Sequence, residues 1–113
     1  MLNQIVIAGR LTSDPAIKEL EDGKKVAMIT VAVPRAYKNQ DGVYETDFID
    51  CQLWGGIADN TVEYCKKGDI VGVKGRLQTN DVANDDGEII GKTTNVIAEK
   101  LSFLSSSKSE DQE

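Results

Sequence analysis

Strand-like runs separated by turn signals dominate this sequence, and a single helical pattern interrupts the series after the third run. Five stretches have the composition and side-chain alternation of strands, and they predict strands at residues 4–8, 25–33, 45–54, 70–78 and 92–103. Pro34 follows the second run, and we expect it to end that strand's pairing because proline has no N–H to donate. After the third run, Ile57, Thr61, Tyr64 and Cys65 share one face of a predicted helix of about two to three turns.

This order of elements, three strands, one helix and two strands, predicts an all-β fold. It matches the OB-fold, a five-stranded Greek-key barrel, with one short helix between strands 3 and 4. SH3-like barrels also have five strands, but they place no amphipathic helix at that point. We therefore expect an OB-fold domain over residues 1–104 and a short, Ser-rich, charged and disordered tail over residues 105–113.

The residue types present argue against most enzymatic chemistry. The chain has no histidine, which removes catalytic triads, imidazole acid–base pairs and most zinc sites, so we expect no enzyme, no metal and no cofactor. Cys51 and Cys65 lie in apolar contexts without CxxC spacing and are expected to be buried free thiols. A carboxylate-dependent enzyme is the disfavoured alternative, because the 19 acidic residues are scattered.

Two further sequence features bear on where the chain works. No run approaches the roughly 18 apolar residues of a membrane helix, and the N-terminus opens on strand-like sequence rather than on a signal peptide. We therefore expect a cytoplasmic protein with neither a membrane nor a small-molecule substrate as its partner.

The net charge of −6 is distributed unevenly along the chain. Two segments are basic: residues 23–40 hold Lys24, Lys25, Arg35 and Lys38 without an acid, and residues 66–76 hold Lys66, Lys67, Lys74 and Arg76 against Asp69 alone. The predicted loop at residues 80–88 is acidic and holds Asp81, Asp85, Asp86 and Glu88. Basic segments of this kind suit contact with phosphates. The alternative is that these charges only solvate strand faces and loops.

The third predicted strand carries aromatic rings on its polar side. Alternation places Ile49, Cys51 and Leu53 on one face, and Thr46, Phe48, Asp50, Gln52 and Trp54 on the other. If the aliphatic face points into the barrel, Phe48 and Trp54 project outward, where large rings need a partner. A nucleic-acid base is one such partner, because every base has a face on which a ring can stack. The alternative is that one or both rings lie under a loop or in a subunit interface.

More aromatic and basic residues lie close to this strand in the sequence. Tyr37 and Tyr44 flank a predicted polar hairpin loop, beside Arg35 and Lys38. Rings interleaved with cations are the composition of a groove that binds single-stranded nucleic acid.

Four separated motifs resemble the bacterial single-stranded DNA-binding proteins. They are Met1 to Thr12 followed by Asp14-Pro15, Thr46 to Cys51 through Leu53-Trp54, Tyr64 to Gly68, and Gly72 to Thr79, and the resemblance covers about residues 1–104. It implies an OB-fold, usually in a homotetramer, that binds single-stranded DNA without strong sequence preference during replication, repair and recombination. Phe48 and Trp54 fall where the family has base-stacking aromatics, and Tyr37 lies in the segment that supplies another. The resemblance makes Arg10, Lys74 and Arg76 candidate phosphate contacts.

The sequence also departs from the family's pattern. Asn80-Asp81-Val82 stands where the family commonly has basic residues and an aromatic, so we expect the acidic loop to repel DNA there. Gly55 and Gly56 replace the usual basic residue or pair after the second stacking ring. The sequence ends without the acidic tip and terminal Pro-Phe of replicative members, and we interpret it as a short paralogue or a mobile-element version, although a truncated chain would look the same. An accessory module of a primosome-like or mobile-element assembly, acting through protein contacts, is the rival hypothesis.

Overall fold

Six strands and one helix make up the computed structural model, which describes residues 1–106. The elements are β1 (Ile5–Leu11), β2 (Ile17–Glu19), β3 (Lys25–Lys38), β4 (Tyr44–Trp54), α1 (Gly56–Tyr64), β5 (Ile70–Ala83) and β6 (Ile89–Ser105). β6 thus ends at Ser105, and residues 107–113 of the predicted tail lie outside the described residues. Helix α1 separates β4 from β5, which correspond to the third and fourth strands predicted from the sequence.

Five of the strands close into a barrel in the order β1-β5-β6-β4-β3, and β3 returns to β1. Every neighbouring pair is antiparallel except β4 and β6, which run parallel and pair only at Cys51 with Val96 and Gln52 with Ile97. The three-residue strand β2 was not predicted, and it pairs with β3 on the same edge that β1 uses. The architecture is the predicted OB-fold.

The barrel interior is aliphatic. Its buried residues are Leu11, Ala27, Ile29, Val31, Cys51, Leu53, Ala58, Cys65, Val71, Val73, Val96 and Ala98. Both cysteines are free and buried, as the sequence predicts. Although aromatic side chains usually supply much of a core, none of the aromatic rings in this chain belongs to this one. The barrel is therefore stabilised by aliphatic side chains and the two cysteines, packed across its width.

Two close backbone contacts in the barrel require glycine. A Cβ atom on Gly9 would lie 2.2 Å from the carbonyl oxygen of Ala32, and one on Gly75 would lie 2.1 Å from that of Ile97. Both distances are far below van der Waals contact. Gly9 therefore allows β1 to approach β3, and Gly75 allows β5 to approach β6.

The two long hairpins differ from the prediction. Pro34 was expected to end the pairing of its strand, but it lies opposite Thr46, and β3 reaches Lys38 opposite Tyr44 after a bulge. Proline is tolerated there because β1 pairs with β3 only at residues 31 and 32, which leaves β4 as the single neighbour of β3 at this point. The result is an arm, residues 34–46, that extends the β3–β4 hairpin.

The acidic stretch is also more regular than predicted. Residues 80–83 of the expected loop belong to β5 and pair with β6, so that only residues 84–88 form the turn. Asn84 closes this turn by donating its N–H to the carbonyl of Glu88 at 2.9 Å. The acidic residues therefore lie on a projecting hairpin, in which Asp81 is opposite Lys92.

The helix differs from its predicted pattern at one residue. Ile57 packs against the core, and Thr61 and Cys65 are buried, but Tyr64 is 70% exposed. Ala58 is buried instead. Tyr64 is the last residue of the helix, and its side chain lines a surface concavity together with Leu101 and Phe103 of β6.

Candidate nucleic-acid interface

All the aromatic side chains of this chain are at its surface. The single tryptophan, three tyrosines and two phenylalanines are Trp54, Tyr37, Tyr44, Tyr64, Phe48 and Phe103, and each is among the exposed large hydrophobic residues. Exposing large rings is unfavourable unless a partner covers them. The surface therefore offers flat apolar platforms for another molecule.

Strand β4 presents two of these rings outward, which confirms the predicted alternation. Cys51 and Leu53 are fully buried, whereas Phe48 is 67% exposed and Trp54 is 37% exposed. The two rings are six residues apart on the strand, roughly 20 Å at about 3.3 Å per residue. Asp50 and Gln52 stand between them on the same side, and the Thr30 hydroxyl donates to the Asp50 carboxylate at 2.6 Å.

The strand register places a cation near Phe48. Arg10 of β1 lies opposite Ala32 of β3, and Ala32 lies opposite Phe48 of β4. Arg10 and Phe48 are thus two strand spacings apart, roughly 10 Å, with only a methyl group between them. A concavity of about 470 Å³ opens beside this row, with Arg10, Ala32 and Thr46 among its lining residues. The Arg10 guanidinium also donates to the Gly68 carbonyl at 2.8 Å, which directs the side chain.

A second ring-and-cation group forms around Trp54. Its indole Nε1 donates to Gln52 Oε1 at 3.2 Å, which orients the ring. Gln52 lies opposite Ile97 of β6, and Ile97 lies opposite Arg76 of β5. Trp54, Arg76 and Lys24 line one concavity of about 340 Å³. The strand β4 therefore carries one exposed ring at its middle, Phe48, and one at its C-terminal end, Trp54, and each ring has an arginine across the sheet.

The β3–β4 arm holds three more of the predicted residues, and their surroundings differ. Tyr37 is exposed, and the Lys38 ammonium lies 5.6 Å from the centre of the Tyr44 ring. Arg35 is paired with two carboxylates: it donates to both oxygens of Asp47 at 3.0–3.2 Å and also contacts Glu45. These bonds raise the pKa of Arg35. The hydrogen bond from Arg35 also holds the pKa of Asp47 below its ordinary value.

The remaining predicted cation, Lys74, lies apart from both rings. It faces Val6 of β1 on one side and Lys100 of β6 on the other. Lys74 and Lys100 line one shallow concavity together with Val6. The structure thus gathers Arg10 with Phe48 and Arg76 with Trp54, but it places Lys74 on another part of the barrel wall.

Sequence reasoning did not single out Lys24, which lies beside Trp54, or Lys100, which lies beside Lys74 and apart from both rings. Lys24 stands beside Trp54 in the turn between β2 and β3, and its place in a basic segment was a signal that could have identified it. The position of Lys100 opposite Lys74 follows only from the register of β5 with β6, which no local sequence pattern reveals. Within residues 1–106, no group of histidine, cysteine or acidic side chains could hold a metal ion, and no helix is long and apolar enough to span a membrane.

This surface can hold a polymer that has flat rings and negative charges. The rings of Phe48 and Trp54 can stack on bases, and the arginine near each can pair with a phosphate. The side chains between these platforms are Asp50, which accepts from the Thr30 hydroxyl, and Gln52, whose oxygen accepts from Trp54. The arrangement therefore suits binding by stacking rather than by sequence.

Comparisons with known proteins agree with this geometry. Residues 2–104 match the model of the single-strand binding protein family. Single-stranded DNA-binding protein B of Bacillus subtilis is 42% identical over 104 residues, which cover 92% of this chain and 91% of that protein. Single-stranded DNA-binding proteins of Bacillus cereus and Halalkalibacterium halodurans are 44% and 43% identical, but this chain spans only 61% and 66% of their length. The chain belongs to the single-strand binding protein family.

Proposed function

We propose that this chain binds single-stranded DNA, largely without sequence preference, by stacking bases on exposed aromatic rings and pairing phosphates with arginine and lysine. The role is non-catalytic, as in its family, and serves DNA replication, repair or recombination. One observation carries the proposal: β4 presents Phe48 and Trp54 outward, each with an arginine across the sheet. Because bacterial DNA lies in the cytoplasm, the proposal places this chain there too.

The DNA path follows the outward side of β4. A strand stacked on Phe48 at one end and on Trp54 at the other would span roughly 20 Å of the protein surface. OB-folds of this kind cover about 4–16 nucleotides each. Phosphates near Phe48 would meet Arg10, and phosphates near Trp54 would meet Arg76 and Lys24.

The overall negative charge of the chain limits this attraction. Asp81, Asp85, Asp86 and Glu88 lie on the β5–β6 hairpin, but Asp50 lies on the DNA path itself and Asp22 lines the concavity that holds Trp54. Binding should therefore weaken as salt rises but with a shallow slope, because each phosphate contact releases counterions and few cations make such contacts.

A fluorescence titration with oligo-dT tests the proposal directly. Trp54 is the only tryptophan, so its emission reports on one face of the barrel. Stacking should quench it in a saturable manner, and raising the salt from about 50 to 200 mM should weaken the binding. If oligo-dT left the emission unchanged at every salt concentration, a protein-binding accessory module would explain the exposed rings better.

We further propose that the chain works as a homo-oligomer, a tetramer as is typical of its family, with β1 at one interface. β1 pairs with β5 along residues 5–10 but with β3 only at Arg10 and Leu11, so that within residues 1–106 the other edge of residues 5–9 has no partner strand. An open strand edge readily pairs with another chain. Val6 and Leu104 add exposed apolar surface beside it.

Analytical ultracentrifugation tests this assembly. A tetramer at micromolar concentration is expected. A monomer at that concentration would contradict the proposal while leaving DNA binding open to the titration above.

A further inference from the structure

We propose that Arg35 is a phosphate-binding group held in reserve: Asp47 and Glu45 occupy its guanidinium, and DNA must displace them to use it. This inference rests on the proposed binding of single-stranded DNA. It concerns the β3–β4 arm, where the sequence suggests a cation but the structure shows an ion-paired cluster.

The guanidinium of Arg35 is engaged on two sides. Its Nε lies 3.2 Å from both oxygens of Asp47, and one terminal nitrogen lies 3.0 Å from Asp47 Oδ1. The other terminal nitrogen contacts Glu45, whose second oxygen accepts from the Asn39 amide at 3.4 Å. A guanidinium recognises carboxylate and phosphate through the same planar fork of N–H donors. A phosphate cannot use that fork while the carboxylates fill it.

The charge of the cluster opposes a phosphate as well. One arginine and two carboxylates carry a net charge of −1, although the sequence marks this position as basic. Lys38 adds a positive charge nearby, but Asp41 at the turn of the same arm cancels it. An approaching phosphate therefore meets no net attraction on the arm until Arg35 leaves its partners.

The exchange is feasible because the cluster is at the surface. The side chains of Arg35, Glu45 and Asp47 are 38%, 49% and 46% exposed. Exposed ion pairs contribute little to stability, since water competes with them. A phosphate can replace the carboxylates at small cost, so the carboxylates act as competitors rather than as a permanent lock.

The location of the cluster connects it to the DNA path. Asp47 precedes Phe48 on β4, and alternation points the two side chains to opposite sides of the strand. Tyr37, two residues after Arg35, is an exposed ring on the same arm. DNA that continues from Phe48 around the edge of the arm towards Tyr37 would pass Arg35.

Asp47→Asn is the informative variant. It removes the carboxylate that holds most of the Arg35 fork and leaves a side chain of the same shape. We expect roughly three- to tenfold tighter binding to oligo-dT at low salt. The slope of log K against log salt should become steeper by about 0.7, because one more phosphate is neutralised. Glu45→Gln should act in the same direction and serves as a second variant if Asp47→Asn melts at a lower temperature.

Asp41→Asn is the matched control. It removes the same charge from the same arm, but the hydrogen bonds of Arg35 go to Asp47 and Glu45 rather than to Asp41. The affinity of Asp41→Asn for oligo-dT should rise only slightly, and its slope of log K against log salt should stay unchanged. Arg35→Ala should leave the slope of the wild-type chain nearly unchanged and should abolish the gain when combined with Asp47→Asn.

Each outcome is decisive. A wild-type chain that fails to quench with oligo-dT overturns the proposed function and this inference together. A wild-type chain that binds, with Asp47→Asn and Glu45→Gln both matching Asp41→Asn in affinity and slope, overturns this inference alone. A clear loss of salt slope for Arg35→Ala in the wild-type chain also overturns it, because Arg35 would then already bind a phosphate.

Discussion

Replacing Phe48 with alanine should weaken DNA binding while preserving the fold, because most of its ring is outside the core. Phe48 is 67% exposed, so folding buries only about a third of the side chain. A buried aromatic side chain hides roughly 200 Å², and at about 25 cal/mol per Å² the buried third is worth about 1.5 kcal/mol at most. The same arithmetic gives about 3 kcal/mol for Trp54, which is only 37% exposed. Phe48→Ala therefore separates binding from folding, whereas Trp54→Ala would disturb both.

Phe48→Ala is expected to lower the affinity for DNA by more than its small effect on the stability of the fold would suggest. Base stacking is worth about 1–3 kcal/mol for each ring removed, which corresponds to roughly 5- to 150-fold weaker binding. Trp54 stays in place as the fluorophore, so the same quenching titration with oligo-dT measures the affinity of the variant. Melting followed by circular dichroism should remain cooperative, with a midpoint lower by roughly 10 °C at most.

Tyr64→Ala is the matched control for this experiment. Its ring is 70% exposed, almost the same as that of Phe48, but it lies in the last turn of α1 rather than on β4. Its loss should leave the affinity for oligo-dT unchanged. If Phe48→Ala lost its cooperative transition, the ring would belong to the core; if it bound oligo-dT as well as Tyr64→Ala does, no base would stack on it. Either result refutes the assignment.

Three further results are expected. Arg76→Ala should weaken oligo-dT binding and lower the slope of log K against log salt by about 0.7, and an unchanged slope measured across several salt concentrations would remove Arg76 from the phosphate contacts. Gly75→Ala should abolish cooperative melting, since its Cβ would lie 2.1 Å from the Ile97 carbonyl oxygen, whereas Gly91→Ala meets nothing within 4 Å and should melt normally. Burial raises the pKa of Cys51 from its ordinary 9.0 to about 11. The Cys51 thiol should therefore resist alkylation at pH 8 in the native state. The stability that the buried, protonated thiol contributes should be complete below about pH 9 and should be lost as the pH rises through 11.

Local patterns were enough to orient the rings, because side-chain alternation along a strand is a property of the strand itself. The aliphatic residues Cys51 and Leu53 identified the inner face of β4, and this fixed the outward direction of Phe48 and Trp54. The cations near those rings depend on which strands meet and in which register. That information is not local: the sequence suggested Arg10 only through a family resemblance, and Arg76 through that resemblance and its place in a basic segment.

The errors in the prediction have physical causes of the same kind. Pro34 breaks a ladder only when a second strand needs its N–H, and β3 has a single neighbour at that point. The acids at residues 80–88 were interpreted as a loop because they are unfavourable in strands, but pairing with β6 overrides that weak preference. The partners of Arg35 lie 10 and 12 residues away along the chain, across a bulged hairpin. A count of charges could not show that this cation was already paired.

The short pairing between β4 and β6 places one of the two weakly paired seams of the barrel wall beside the DNA path, the other being that between β1 and β3. Only two residue pairs join β4 to β6, and these two strands run parallel, whereas β5 and β6 pair along most of their length. Amide hydrogens along this seam should exchange with solvent sooner than those between β5 and β6, because few hydrogen bonds must break for β4 and β6 to separate. Trp54 and Arg76 flank the seam from opposite sides. A nucleotide bound between Trp54 and Arg76 would hold β4 and β6 together. Amide exchange along this seam should therefore slow when DNA binds, and the barrel would become more rigid at its binding site.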